Sequence, residues 1–130
     1  MFQKIIIGAA WGSIVILAYA TLTHVGFVYS IYYSLAPVLM WPAMRSYAHV
    51  EHVIAFAIFG ALFSFAYPKR IVFVCCLVFL SAVILEYLQT LTPDRHGTLI
   101  YAFEKIVGGA LGIFAARAIR YGRTWGKFQN

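Results

Sequence analysis

The chain has 130 residues, of which 63% are hydrophobic and 11% charged, with 10 Lys and Arg against 4 Asp and Glu for a formal charge of +6. Soluble domains carry about 25% charged residues, so this composition, with mean hydropathy +0.84, excludes a water-solvated globule and predicts an all-α polytopic transmembrane helical bundle solvated by lipid. The length allows one domain and at most about five membrane crossings. The basic residues bracket apolar runs rather than line a water-facing surface, which points to membrane topology and away from nucleic acid.

Taken in chain order, residues 5–23 are uncharged and, at about 1.5 Å per residue, long enough to cross a hydrocarbon core of roughly 30 Å. They predict the first span. A cleaved signal peptide is the rival reading, since Lys4 precedes the apolar run and Ala18-Tyr19-Ala20 has a small-x-small form. A single positive residue and so long a run favour a retained helix.

His24 to Tyr47 follows, with Tyr29, Tyr32, Tyr33, Trp41, Tyr47, Pro37 and Pro42. Amphipathic aromatics prefer the headgroup level, so this stretch predicts an interfacial or re-entrant segment between spans one and two. Val25 to Met44 is also uncharged, and hydropathy alone would allow it as an extra span. Against that, only His24 would remain as a turn, and the two prolines remove backbone donors near one end.

Three further spans are predicted at about 48–67, 71–89 and 99–119, separated by Pro68-Lys69-Arg70 and by Thr92-Pro93-Asp94-Arg95-His96-Gly97. Both breaks are dense in turn chemistry. Short connections make neighbouring helices antiparallel, giving one membrane domain over 1–119 and a basic tail over 120–130. In this four-span reading Lys4, Lys69, Arg70, Arg117, Arg120, Arg123 and Lys127 fall on one side. The positive-inside rule makes that side cytoplasmic, with both termini there, in a multi-pass membrane protein. Glu51, Glu86, Asp94 and Glu104 all fall toward the other side.

Ionisable residues inside a span cost a few kcal/mol and tend to face the bundle interior. His49, Glu51 and His52 open the second predicted span, Glu86 and Gln89 close the third, and Glu104 and Lys105 lie about two turns into the fourth. Helical spacing puts His52, Phe56, Phe59, Gly60 and Phe63 on one face, with Glu51 turned about 100° away from His52. Glu86 and Gln89 are neighbours three apart. Tyr101, Lys105, Gly108 and Gly112 form a stripe in which Gly108-x-x-x-Gly112 permits close helix approach, as does Gly8-x-x-x-Gly12 in the first span. Lys105, carried into the bundle, needs an acid to stay charged. Glu86 is the predicted partner, at similar depth on the preceding antiparallel helix, whereas Glu104 points about 100° away.

The order of motifs resembles a known family. His52 is followed by Phe56 and Gly60, then Glu86-x-x-Gln89, then Pro93-x-Arg95 and a helix with Gly108 and Gly112; over about residues 51–115 this resembles the VanZ-like family. The resemblance implies a small multi-helix protein of a bacterial plasma (inner) membrane, and a link to antibiotic resistance, since the founding member is associated with glycopeptide resistance without an established reaction. His52, Glu86, Gln89 and Arg95 match the family's polar positions. Tyr101 stands where the family commonly has Asp and Lys105 where it commonly has Asn, while Glu104 could return a carboxylate to nearly the same face as Tyr101.

Two functional readings follow. The first is a protein of the bacterial cell envelope that binds an anionic lipid or lipid-linked envelope precursor in an outer-facing intramembrane cleft. There Gln89, Arg95, Glu104 and Lys105 contact the ligand, and His52 with Glu86 is the candidate catalytic pair if a reaction occurs. Gly60, Gly108 and Gly112 pack helices. The second is a structural or accessory subunit without its own chemistry, whose polar cluster only holds helices and whose small-residue faces recruit a membrane protein partner or a second copy. A proton-linked carrier ranks last, because the inner half offers no ionisable relay between Glu104 and Arg117. His49-Val50-Glu51-His52 lacks the His-Glu-x-x-His spacing of a helical zinc site, and adjacent Cys75 and Cys76 make no ordinary bridge, so no metal and no cofactor is expected.

Overall fold

The computed structural model describes residues 1–22, 44–92 and 98–126. They form the helices α1 (Phe2–Leu22), α2 (Met44–Ala66), α3 (Ile71–Leu91) and α4 (Leu99–Gly126), and no strand occurs among the described residues. Three of these, α1, α3 and α4, are long and apolar enough to cross a membrane, and α2 adds the shorter apolar stretch Val50–Ala66. This is the all-helical character of a membrane protein. The expected interfacial or re-entrant segment falls mostly on residues 23–43, which lie outside the described residues, as do residues 93–97 with Arg95.

Helix ends do not coincide with hydropathy ends. Helix α2 begins at Met44 rather than near residue 48, and α4 runs to Gly126 rather than stopping near 119. Composition marks where lipid gives way to headgroups, whereas a helix continues until a breaker intervenes, and Arg117 to Trp125 contains no proline.

The core is built from one face of each helix. On α2, Phe56, Phe59, Phe63 and Ala66 are buried; on α3, Val74, Val78, Ala82 and Leu85; on α4, Ile113 and Ala116; and Ala10 comes from α1. The spacing of three and four is that of a single helical stripe. The α2 phenylalanines interlock edge to face, with ring centroids 5.6 Å apart for Phe56 and Phe59 and 5.1 Å for Phe59 and Phe63. The opposite faces carry Val15, Ile16, Val72, Leu80, Ile84, Phe103 and Phe114, all exposed. Apolar exposure around the whole bundle is what lipid, not water, would solvate.

The most extensive interface joins α2 and α4. A Cβ at Gly108 would lie 2.8 Å from the Val53 Cα, and one at Gly112 would lie 2.6 Å from the Ala57 carbonyl carbon. Backbone therefore touches backbone, and only glycine leaves the room. Since Val53 and Ala57 are four apart, as are Gly108 and Gly112, the two helices run parallel. Each is antiparallel to α3, which lies between them in sequence.

Helix α1 sits at the side of this unit, packing on α2 and α3 and, among the described residues, not on α4. Trp11 donates its indole N–H to the Tyr67 hydroxyl at 2.9 Å and meets Phe63 edge on at 5.6 Å. The Gln3 side-chain amide donates to the Ala66 carbonyl at 2.6 Å and the Phe65 carbonyl at 3.3 Å. These are among the last carbonyls of α2, which lack partners inside their own helix. The same contact sets the start of α1 beside the end of α2. The bundle thus has two poles, one with Gln3, Ala66, Arg70 and Arg120, the other with Thr21, His52, Glu86 and Lys105.

Candidate functional site

Lys105, the lysine that the spacing carries into the bundle, is fully buried. Helical register carries it onto the inward stripe with Gly108 and Gly112, all three of them buried. Across from it, Glu86 and Gln89 stand on the buried stripe of α3, each 5% exposed. The Lys105 ammonium pairs with Glu86 Oε2 and also donates to Gln89 Oε1 at 3.2 Å. Carboxylate and ammonium thus leave water together, the arrangement in which a buried charge is tolerated.

The network extends into backbone. The other Glu86 oxygen accepts the Thr98 N–H at 2.7 Å, just ahead of α4, where unpaired N–H groups and the helix dipole favour negative charge. Thr98 also caps the helix with its hydroxyl, which accepts the Tyr101 N–H at 3.3 Å. On the far side, the Gln89 amide donates to the Thr21 carbonyl at 2.8 Å, one of the last carbonyls of α1. One acid, one amide and one lysine therefore satisfy the end of α1, the start of α4 and each other. In lipid, where water supplies no substitute partner, each such satisfied group avoids a cost of several kcal/mol.

The remaining candidates are placed less centrally. His52 is half-buried, and its ring lies 5.0 Å from that of Tyr101, tilted by 59°. Glu51 is exposed and Glu104 half-buried. Hence the structure brings together Glu86, Gln89 and Lys105, puts His52 with Tyr101 at the same pole, and gathers Gly60, Gly108 and Gly112 at the α2–α4 seam. Arg95 lies outside the described residues, and the side chain of His49 is likewise undescribed. Among the described residues no three His, Cys, Asp or Glu side chains gather as a metal site would require.

Three participants were not visible in the sequence pattern. The Thr21 carbonyl and the Thr98 N–H are backbone groups, which every residue has, so no residue type announces them. Gly109 was passed over in favour of the regular Gly108 and Gly112 pair, yet its carbonyl is what a side chain at Gly60 would strike, and a Cβ of its own would meet Val78. The doublet Gly108-Gly109 was the available signal. Comparison with protein-family models, with curated proteins and with solved structures finds no match for this chain.

Proposed function

We propose that this chain is a multi-pass inner-membrane protein of the cell envelope, VanZ-like in its order of motifs, that engages an anionic lipid or a lipid-linked envelope precursor at the pole where α3 ends and α4 begins. The observation that carries the reading is the convergence of polar groups from α1, α2, α3 and α4 on that one pole of an otherwise apolar bundle. Within it the labour divides. Lys105, Glu86 and Gln89 are enclosed and paired with one another, so they hold the helix ends in place; half-buried His52 and Tyr101 at the same pole, with Arg95 from the stretch that joins α3 to α4, are the residues we assign to ligand contact. The charge asymmetry of the poles supports an outward orientation of this site, since the basic pole belongs on the cytoplasmic side. The start of α1 beside the end of α2 supports the four-span reading, because a chain that leaves α1 and enters α2 at the same pole makes no net crossing between them.

The test is lipid retention by the purified full-length protein, using phosphatidylglycerol and a polyprenyl diphosphate as probes. Arg95→Ala and His52→Asn are expected to lower retention of one probe at least fivefold while the melting temperature stays within a few degrees. Retention equal to wild type in both variants would overturn the reading.

A second reading is favoured by the enclosure of Lys105 itself: a polar cluster whose charges are paired internally can serve packing alone, in an accessory subunit without its own chemistry. It predicts that His52→Asn costs nothing beyond stability.

A further inference from the structure

At the basic pole a groove of about 280 Å³ opens between the first turns of α1 and the last turns of α4. It exists because α1 packs on α2 and α3 but not on α4, so the two helices part at this end. Phe2, Ile6, Phe65 and Pro68 give it apolar walls, and Arg120 and Arg123 stand on its α4 side. The arginines are three apart and so share one helix face. Among the described residues no acid lies at this pole, for Glu51, Glu86 and Glu104 all belong to the opposite end.

The depth of the groove is marked by an aromatic pair beside it on α4. Tyr121 and Trp125, four apart on α4, are exposed with ring centroids 6.0 Å from each other, and such a pair of amphipathic rings marks the headgroup level. Gln3 and Thr124, which also line the groove, turn their donors to backbone, the Gln3 amide to the α2 carbonyls and the Thr124 hydroxyl to the Tyr121 carbonyl at 2.7 Å, and the arginines are the charged groups on its wall. We propose that this groove holds an anionic phospholipid of the cytoplasmic leaflet, its phosphate against Arg120 and Arg123 and the upper part of an acyl chain along Phe2, Ile6 and Phe65. Guanidinium groups suit phosphate because their donors form a planar fork, and basic pockets between membrane helices bind such headgroups. The lipid would fill the gap that α1 leaves beside α4, acting as a wedge between the peripheral helix and the bundle.

The experiment places full-length protein in nanodiscs containing phosphatidylglycerol and phosphatidylcholine and counts the lipids retained on release by native mass spectrometry. Wild type is expected to retain phosphatidylglycerol selectively. Arg120→Ala with Arg123→Ala should lower that retention by roughly thirtyfold, about fivefold per cation lost near the headgroups, and Ile6→Trp, which fills the groove and leaves both charges, should lower it as well. Arg117→Ala, an exposed arginine on the same helix outside the groove, should leave it unchanged. The groove variants all lie at the pole opposite His52, so failure here is distinguishable from failure of the outer site. Retention without preference for the anionic lipid, equal loss in Arg117→Ala, or unchanged retention in the double arginine variant would each overturn the proposal. Displacement of the lipid by millimolar inorganic phosphate with no sensitivity to Ile6→Trp would reduce the groove to a simple anion site and overturn it too.

Discussion

A lysine enclosed by protein within a helical bundle depends on its neighbours for its charge, and the Lys105–Glu86 pair makes that dependence measurable. Glu86→Gln keeps an oxygen for the Thr98 N–H but leaves the ammonium without a counter-charge, and Lys105→Met strands the carboxylate. Removing one partner of a buried pair costs about 3 kcal/mol. Glu86→Gln with Lys105→Met is therefore expected to be more stable than either single variant, with a coupling of at least about 1 kcal/mol, the scale of interhelical polar interactions in membranes. Thermal unfolding of the four proteins in one detergent measures it; simple additivity of the two losses would show that the pair carries no interaction. This pairing was legible in the residues, because depth along an antiparallel hairpin and rotation about each helix follow from counting. The rest of the network was not. Gln89 reaches a carbonyl of α1, and which helix end lies within reach of an amide is decided by tertiary packing.

At the scale of helices, the seam between α2 and α4 rests on the absence of side chains. Gly112→Ala is expected to cost about 1–3 kcal/mol, the range for overpacking a close contact, since its methyl group would overlap the Ala57 carbonyl. Gly108→Ala should behave alike against Val53. Gly8→Ala and Gly12→Ala are the matched controls: nothing lies within 4 Å of a Cβ at either site, and they should stay within about 0.5 kcal/mol of wild type. Equal effects from both glycine pairs, read as shifts in unfolding temperature, would contradict the seam. The sequence shows two GxxxG patterns that look equivalent, and only the packing distinguishes the one in use from the one left open. The helix ends at Met44 and Gly126 escaped sequence reasoning for a different reason, because hydropathy reports the lipid boundary and these helices outrun it.

For the molecule as a whole, the two poles differ in charge and in the groups they expose. Reporters fused within Pro68 to Arg70, after Asn130 or ahead of Met1 should all read as cytoplasmic, and one inserted at Asp94 should read as external. An exported N-terminus would bring back the five-span alternative, and a cytoplasmic signal at Asp94 would invert the bundle. Polarity of this kind was legible from the sequence because the basic and acidic residues separate along the chain at span-length intervals. The parting of α1 from α4 was not, since it depends on how three helices share the sides of a fourth.

The way Glu86 and Lys105 neutralise each other also bears on how the chain enters the bilayer. Synthesis delivers Glu86 before Lys105, and a lone carboxylate near the end of a span is disfavoured in lipid. Entry of α3 together with α4, as a helical hairpin, removes that penalty, because the lysine arrives with the acid it neutralises. Helix α1 is made first but is fastened last at its far end, for the amide that holds the Thr21 carbonyl belongs to Gln89 on α3. Until that hairpin is in place, α1 can be held by α2 alone. The order of insertion is thus partly written into which helix supplies the hydrogen bond that finishes another.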